Sequence, residues 1–194
     1  MQPFNAVYYA EVPAVLGRRG IFPPQREAYI LQTANPQLQR QRYYVWLLLE
    51  YAVNNGLHKT LPELQLTMDT HGKWHSPFVH FSLSHSDNAV AVAISDSPVG
   101  IDIQQPILDE NKKTHILAPD EYSLFDTAED KSAFLTELWT KKESLFKTSN
   151  ETRFNPKTNS VQGLSLDTRW VEIAGKRYAL STTSQITHLE KVQL

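Results

Sequence analysis

From residue 35 to residue 56 apolar side chains recur on one side of a helical wheel, at Leu38, Val45, Trp46, Leu49, Tyr51 and Val53. Asn35-Pro36 provides a capping side chain and a first-turn proline, and Asn54-Asn55-Gly56 a stop, so the pattern predicts a core helix. Pro62 and residues 71–77 read as loop. Residues 81–83 and the unbroken small-to-medium apolar run 89–94 read as strands turning through Ser86-Asp87-Asn88. Asp96-Ser97-Pro98 is a turn near the middle of the chain, and 99–104 is a new strand, which places the boundary between an N-terminal half, 1–97, and a C-terminal half, 98–194. Pro119-Asp120-Glu121 looks like a helix start. Residues 130–148 are strongly helical, with Phe134, Leu135, Leu138, Trp139, Leu145 and Phe146 at helical spacing and Trp139 expected in the core. Residues 170–173 and 178–181 flank Ala174-Gly175-Lys176-Arg177 as a hairpin. Helical and strand patterns interleave without a regular repeat, which makes the class α+β.

Composition narrows the function classes. At 194 residues the chain is one large domain or two small halves sharing a core. The longest apolar run is seven residues, 43–49, where a membrane span needs about 20. The first seventeen residues carry no Lys or Arg, so no secretory or organelle signal is expected. Zero cysteines exclude disulfides, thiolate metal sites and cysteine nucleophiles, and suit a cytoplasmic home. A net charge of −2 argues against a general nucleic-acid binder. The distribution is more informative. Residues 18–43 hold five arginines, Arg18, Arg19, Arg26, Arg40 and Arg42, against Glu27 alone. Residues 96–130 carry nine acids against Lys112 and Lys113, and residues 141–157 return to five bases against two acids. Such segregation suits a cation in one place with a polyanion beside it, and it also suits ordinary surface charge.

Three short segments carry candidate chemistry. In the 99–104 strand Asp102 lies between two isoleucines, where aspartate is disfavoured. It either accepts local hydrogen bonds or ligates a hard cation through oxygen, while Gly100 beside it leaves room for a backbone or a ligand. In the second helix Trp139, Glu143 and Lys147 share one ridge, at i, i+4 and i+8. Glu143 and Lys147 border the apolar stripe, so they are either a helix pair or a carboxylate and an ammonium serving a metal and a phosphate. In Phe81-Ser82-Leu83-Ser84-His85-Ser86 the Ser-His neighbours lack the glycines of a nucleophile elbow, which disfavours a hydrolase. His85 can instead donate to phosphate oxygens or be a lone polar turn residue. His71-x3-His75 spans Gly72 and precedes Pro77, so a helical zinc site with His80 and His85 is disfavoured.

Taken in order, these segments resemble the 4′-phosphopantetheinyl transferase superfamily, particularly its surfactin-synthetase-type branch. Phe81 to His85 matches its F-x-x-S-H segment, Gly100 to Ile103 its G-I-D-I strand, and Trp139 to Lys147 its W-x-x-K-E-S-x-x-K helix. Lys73, in a Gly-Lys pair, precedes the first and Asp120-Glu121 lies between the last two, so the likeness covers residues 72–147. The resemblance implies two similar α+β halves about a pseudo-twofold axis, with coenzyme A in the cleft between them. It also implies a reaction in which a carrier-protein serine attacks the pantetheine-side phosphate of coenzyme A and 3′,5′-adenosine bisphosphate leaves. Mg²⁺ is the implied cofactor, an acyl or peptidyl carrier protein the implied partner, and a monomer the expected state.

The resemblance, read with the chemistry of a loose phosphoryl-transfer transition state, distributes the roles. Asp102 and Glu143 would hold Mg²⁺, Glu143 would also take the serine proton, and Lys147 would sit beside the pyrophosphate. His85 and Lys73 would bind the 3′-phosphate, Ser84 would help with a hydroxyl or backbone contact, and Lys142 would reach a phosphate or remain solvated. Arg42 is the arginine taken to contact the nucleotide phosphate. Gln104 departs from the pattern: many surfactin-type members carry a second acid there, so this chain would present a neutral carbonyl or a water to the metal and hold it less strongly. That substitution keeps a non-catalytic coenzyme A or carrier-binding module open as the alternative.

Overall fold

The computed structural model describes residues 4–17, 22–70, 72–149 and 151–194. The chain forms β1 (Asn5–Glu11), α1 (Pro24–Leu31), α2 (Pro36–Gly56), β2 (Thr67–Met68), β3 (Trp74–His75), β4 (His80–Ser86) and β5 (Ala89–Ser95). There follow β6 (Ile101–Gln104), α3 (Lys113–Ile116), α4 (Tyr122–Thr127), α5 (Lys131–Thr148), β7 (Asp167–Ile173), β8 (Lys176–Thr182) and β9 (His188–Val192). Strands order as β4-β5-β1-β9 in one sheet and β6-β8-β7 in a second, with β2 and β3 a separate hairpin. The class is mixed α+β, as expected.

The expected core helix is α2. The Asn35 side chain accepts from the backbone N–H groups of Gln37 and Leu38, Pro36 opens the first turn, and Trp46, Leu49 and Val53 pack with Tyr8, Val90, Val92 and Ile94 of the first sheet. The helix ends at Gly56, as expected, with Leu57 as its cap. A Cβ on Gly56 would stand 2.6 Å from the Tyr8 hydroxyl and 2.8 Å from Ile94 Cδ1, so this glycine exists to let helix and sheet approach.

The unbroken apolar run of β5 has a reason. Its Val90, Val92 and Ile94 face α2, while Ala89, Ala91 and Ala93 face a second core with Val7, Ile101, Ile103, Tyr178 and Leu180. A strand covered on both sides loses the polar alternation. The β7–β8 hairpin turns on two residues instead of the expected four, because Ala174 (φ 50°) and Gly175 (φ 71°) both take the left-handed conformation such a turn requires. Trp74–His75, expected as loop, pairs with Thr67–Met68. Trp139, expected in the core, is half-buried and meets Phe154 edge-on at 5.4 Å.

The two sheets join through side chains. Ser82 Oγ and Ser84 Oγ of β4 accept from Ile101 N (3.1 Å) and Ile103 N (3.2 Å) of β6, giving its outer edge the acceptors a neighbouring strand would otherwise supply. The last strand, β9, returns to the first sheet and lies parallel beside β1.

Candidate active site

The strand β6 and the second half of α5 build one side of the site, and Gly100 sets their spacing. A Cβ on Gly100 would stand 1.8 Å from the Ser144 carbonyl oxygen, so the close approach foreseen for this glycine is made by the backbone of α5. The contact lays the last turns of α5 across the start of β6. Lys147 Nζ then donates to Ile101 O at 2.8 Å and to Asp102 Oδ1 at 2.9 Å. Ser84 Oγ donates to the same Oδ1 at 2.7 Å, and the Asp102 side chain is 10% exposed. Its Oδ2 accepts no hydrogen bond among the described residues.

Glu143, one turn before Lys147, stands in the same field. Its carboxyl is pushed up to about 7, first by burial and then by the Asp102 charge, with Lys147 offsetting part of this. Two carboxylates in a partly dry place thus share one ammonium. Gln104 follows Asp102 on the same strand face; its Nε2 donates to Gln105 O at 3.1 Å, leaving its amide oxygen unengaged. Among the described residues no three His, Asp or Glu side chains gather to hold a metal. Even so, two repelling acids with an unengaged Asp102 oxygen, and an amide oxygen on the same strand face, are oxygen donors of the kind a hard divalent cation takes, so these residues fit Mg²⁺.

The cationic side centres on His85, within β4. Its imidazole is held down at about 4, mainly by burial and further by Lys147, Arg26 and Arg42, so it is neutral. Arg42 Nη1 donates to Tyr29 O at 2.6 Å, and its guanidinium stacks 3.8 Å from the Tyr29 ring centroid. Arg18 and Arg19 lie outside the described residues, as does His71.

Several expected residues stand elsewhere. Lys73, on the β2–β3 hairpin, donates to Lys147 O at 2.5 Å and so caps the end of α5. Ser84 spends its hydroxyl on Asp102 and Ile103, which makes it a positioning group for the acid in place of a ligand contact. Lys142 is neither solvated nor near a phosphate site. It is 1% exposed and donates to Glu121 Oε2 (2.5 Å), Pro156 O (2.7 Å) and Ile116 O (3.0 Å), which uses all three of its N–H groups. Sequence reasoning missed Arg26, which is buried on α1 beside Ile30; their i, i+4 spacing was the available signal.

An acid on a strand thus faces a glutamate and a lysine one helical turn apart, with a histidine among cations beyond. Residues 98–193 match the family model of the 4′-phosphopantetheinyl transferase superfamily, and this half of the chain belongs to that superfamily. Over 112 residues, 52% of this chain and 48% of the relative, it is 36% identical to 4′-phosphopantetheinyl transferase psf-1 of Bacillus pumilus. The chain therefore spans about half the length of that relative. Among the described residues no helix is long and apolar enough to cross a membrane.

Proposed function

We propose that this protein transfers the 4′-phosphopantetheine arm of coenzyme A to a serine of an acyl or peptidyl carrier protein, converting it from apo to holo form. The observation that carries this reading is the meeting of Asp102, Glu143 and Lys147 where α5 crosses β6, beside the cations around His85. In the reaction the serine Oγ bonds to the pantetheine-side phosphorus, the bridging P–O bond breaks, and 3′,5′-adenosine bisphosphate leaves. Glu143, poised at about 7, takes the serine proton near neutral pH. Lys147 is held in place by Ile101 O and Asp102, so it meets the departing charge without reorganising. Neutral His85 retains a ring N–H for a phosphate oxygen, and Arg42 adds charge. Asp102, Glu143 and the Gln104 amide oxygen would hold Mg²⁺, which when bound offsets pyrophosphate charge and polarises its oxygens. An amide in place of a third acid leaves that site weaker by one formal charge.

The same reading takes 1–97 and 98–194 as two related α+β halves about a pseudo-twofold axis with coenzyme A between them, β9 tying the second half to the first. It describes a cytoplasmic monomer with no nucleic-acid or membrane partner. Incubation with coenzyme A, Mg²⁺ and apo-carriers of the fatty-acid, polyketide and peptide types tests it, since mass spectrometry reads the gain of the phosphopantetheine arm. No gain on any carrier, with folded protein, overturns the proposal. Coenzyme A binding that is independent of Mg²⁺ and unaccompanied by transfer is the signature of the non-catalytic binding module that Gln104 favours.

A further inference from the structure

The strand β4 is the edge of its sheet, with β5 on one side. On the other side Ser82 and Ser84 tie it to β6. His85 comes after those ties, so its end of the strand is held from further along, at Asp87 in the β4–β5 turn. Asp87 takes φ 49°, a left-handed conformation that glycine adopts freely and aspartate tolerates. The backbone there asks for nothing that glycine would not supply, so the carboxylate has a separate reason to be present.

Asp87 gathers donors from two directions. From α2, Gln41 Nε2 donates to Asp87 O at 2.6 Å and Gln37 Nε2 to Asp87 Oδ1 at 3.3 Å. From β8, Lys176 Nζ and the Tyr178 hydroxyl donate to Asp87 Oδ2 at 3.0 and 3.2 Å. The Lys176 ammonium first, with Tyr178 and Gln37 assisting, holds the Asp87 carboxyl below the ordinary carboxylate range despite partial burial. Two of the joined elements lead into the candidate site: Gln41 precedes Arg42 on α2, and Asp87 lies two residues beyond His85. Arg42, Arg26 and Lys147 are the cations whose charges act on His85. The Lys176 end of the network is 56% exposed, and an ion pair so open to water stabilises a fold little. Placement, more than stability, is what this network supplies.

We infer that Asp87 is a positioning residue that clamps the end of β4 between α2 and β8 and so fixes the His85 ring in its half-buried place among the cations. The inference rests on the coenzyme A-dependent reading above, which gives His85 a phosphate oxygen to meet. It goes beyond that reading in assigning a role to a turn residue set back from the ligand and acting through His85.

The test uses the full chain with ring-labelled histidine. Nuclear magnetic resonance follows the His85 imidazole, identified by its loss in His85→Asn, and calorimetry reads the affinity for coenzyme A. In the wild type the ring should stay uncharged down towards its value of about 4. Asp87→Gly suits the turn and removes the carboxylate ties, so water should reach the ring and its titration should move towards the ordinary 6.5. Coenzyme A should then bind about fivefold more weakly, the worth of one impaired hydrogen bond. Asp87→Asn, which also suits the turn and keeps an acceptor for Gln37 without the charge, should lie between. A residue serving stability alone would lower the unfolding temperature and leave the ring titration and the affinity at wild-type values. That result overturns the proposal, as does a wild-type ring that titrates near 6.5 or a failure of both variants to fold. The ring is read without coenzyme A, so a shifted titration in a protein that binds no coenzyme A supports the clamp and sinks only the transferase reading.

Discussion

Lys142 and Lys147 lie five residues apart on α5 and each meets a carboxylate, yet the two pairs do opposite work. The Lys142–Glu121 pair is 0% exposed on both sides, every ammonium proton is used, and Glu121 further accepts from Ala118 N and Val161 N. Nothing is left over for a ligand, so the pair staples the end of α3, the 118–121 segment and the loop around Pro156 to the helix. The Lys147–Asp102 pair is 25% and 10% exposed, shares its field with a second acid, and leaves Asp102 Oδ2 unengaged. Surplus capacity at a partly open place is what chemistry requires, whereas a saturated pair in a dry place provides only shape.

Breaking the sealed pair should have the largest effect. Lys142→Met strands the Glu121 carboxylate and should cost about 3–5 kcal/mol of stability, measured by urea unfolding. A loss under about 1 kcal/mol would show that the pair is not the staple described. At the open pair, Glu143→Gln should reduce carrier modification by about a hundredfold or more without destabilising the fold, since a neutral amide relieves the repulsion from Asp102. Turnover near that of the wild type would remove Glu143 from the role of base.

Gly100→Ala sharpens the contrast, because the added Cβ forces the end of α5 away from β6 where Lys147 sits and leaves the Lys142 staple untouched. The expected cost is about 1–3 kcal/mol, with turnover falling further than the change in folded fraction explains. Equal losses in both would mean that the close approach serves stability alone.

The smallest effect is a pair of opposed pH slopes in the metal-free protein. Glu143 is raised from 4.5 to about 7 in the folded protein, so its contribution is present below pH 4.5 and declines as pH rises towards 7. His85 is lowered from 6.5 to about 4, so its contribution is present above pH 6.5 and is lost as pH falls towards 4. Between these limits the two largely cancel. Glu143→Gln should expose a stability that climbs with pH, by at most about 1.4 kcal/mol per unit, and His85→Asn should expose the reverse. Slopes unchanged in both variants would contradict the environments described for these groups.

The repeating patterns of the chain carried α2, α5 and the β4–β5 and β7–β8 hairpins, because amphipathic period and capping chemistry are local properties. They also carried the meeting of Asp102, Glu143 and Lys147, through the order of three short motifs. They did not show that Ser84 meets Asp102, that Lys142 spends its donors on Glu121 and two carbonyls, or that Lys73 reaches the end of α5, and they did not single out Arg26. What a polar side chain does depends on which partner reaches it first, and those partners lie far along the chain: Asp102 is 18 residues from Ser84 and 45 from Lys147, and Lys73 is 74 from Lys147. Sequence alone therefore determined which groups were present and which elements bear them. Only the packing of α5 on β6 and of α1 on α2 decided which charges were spent on the fold and which were left free to act, because desolvation and pairing are settled through space.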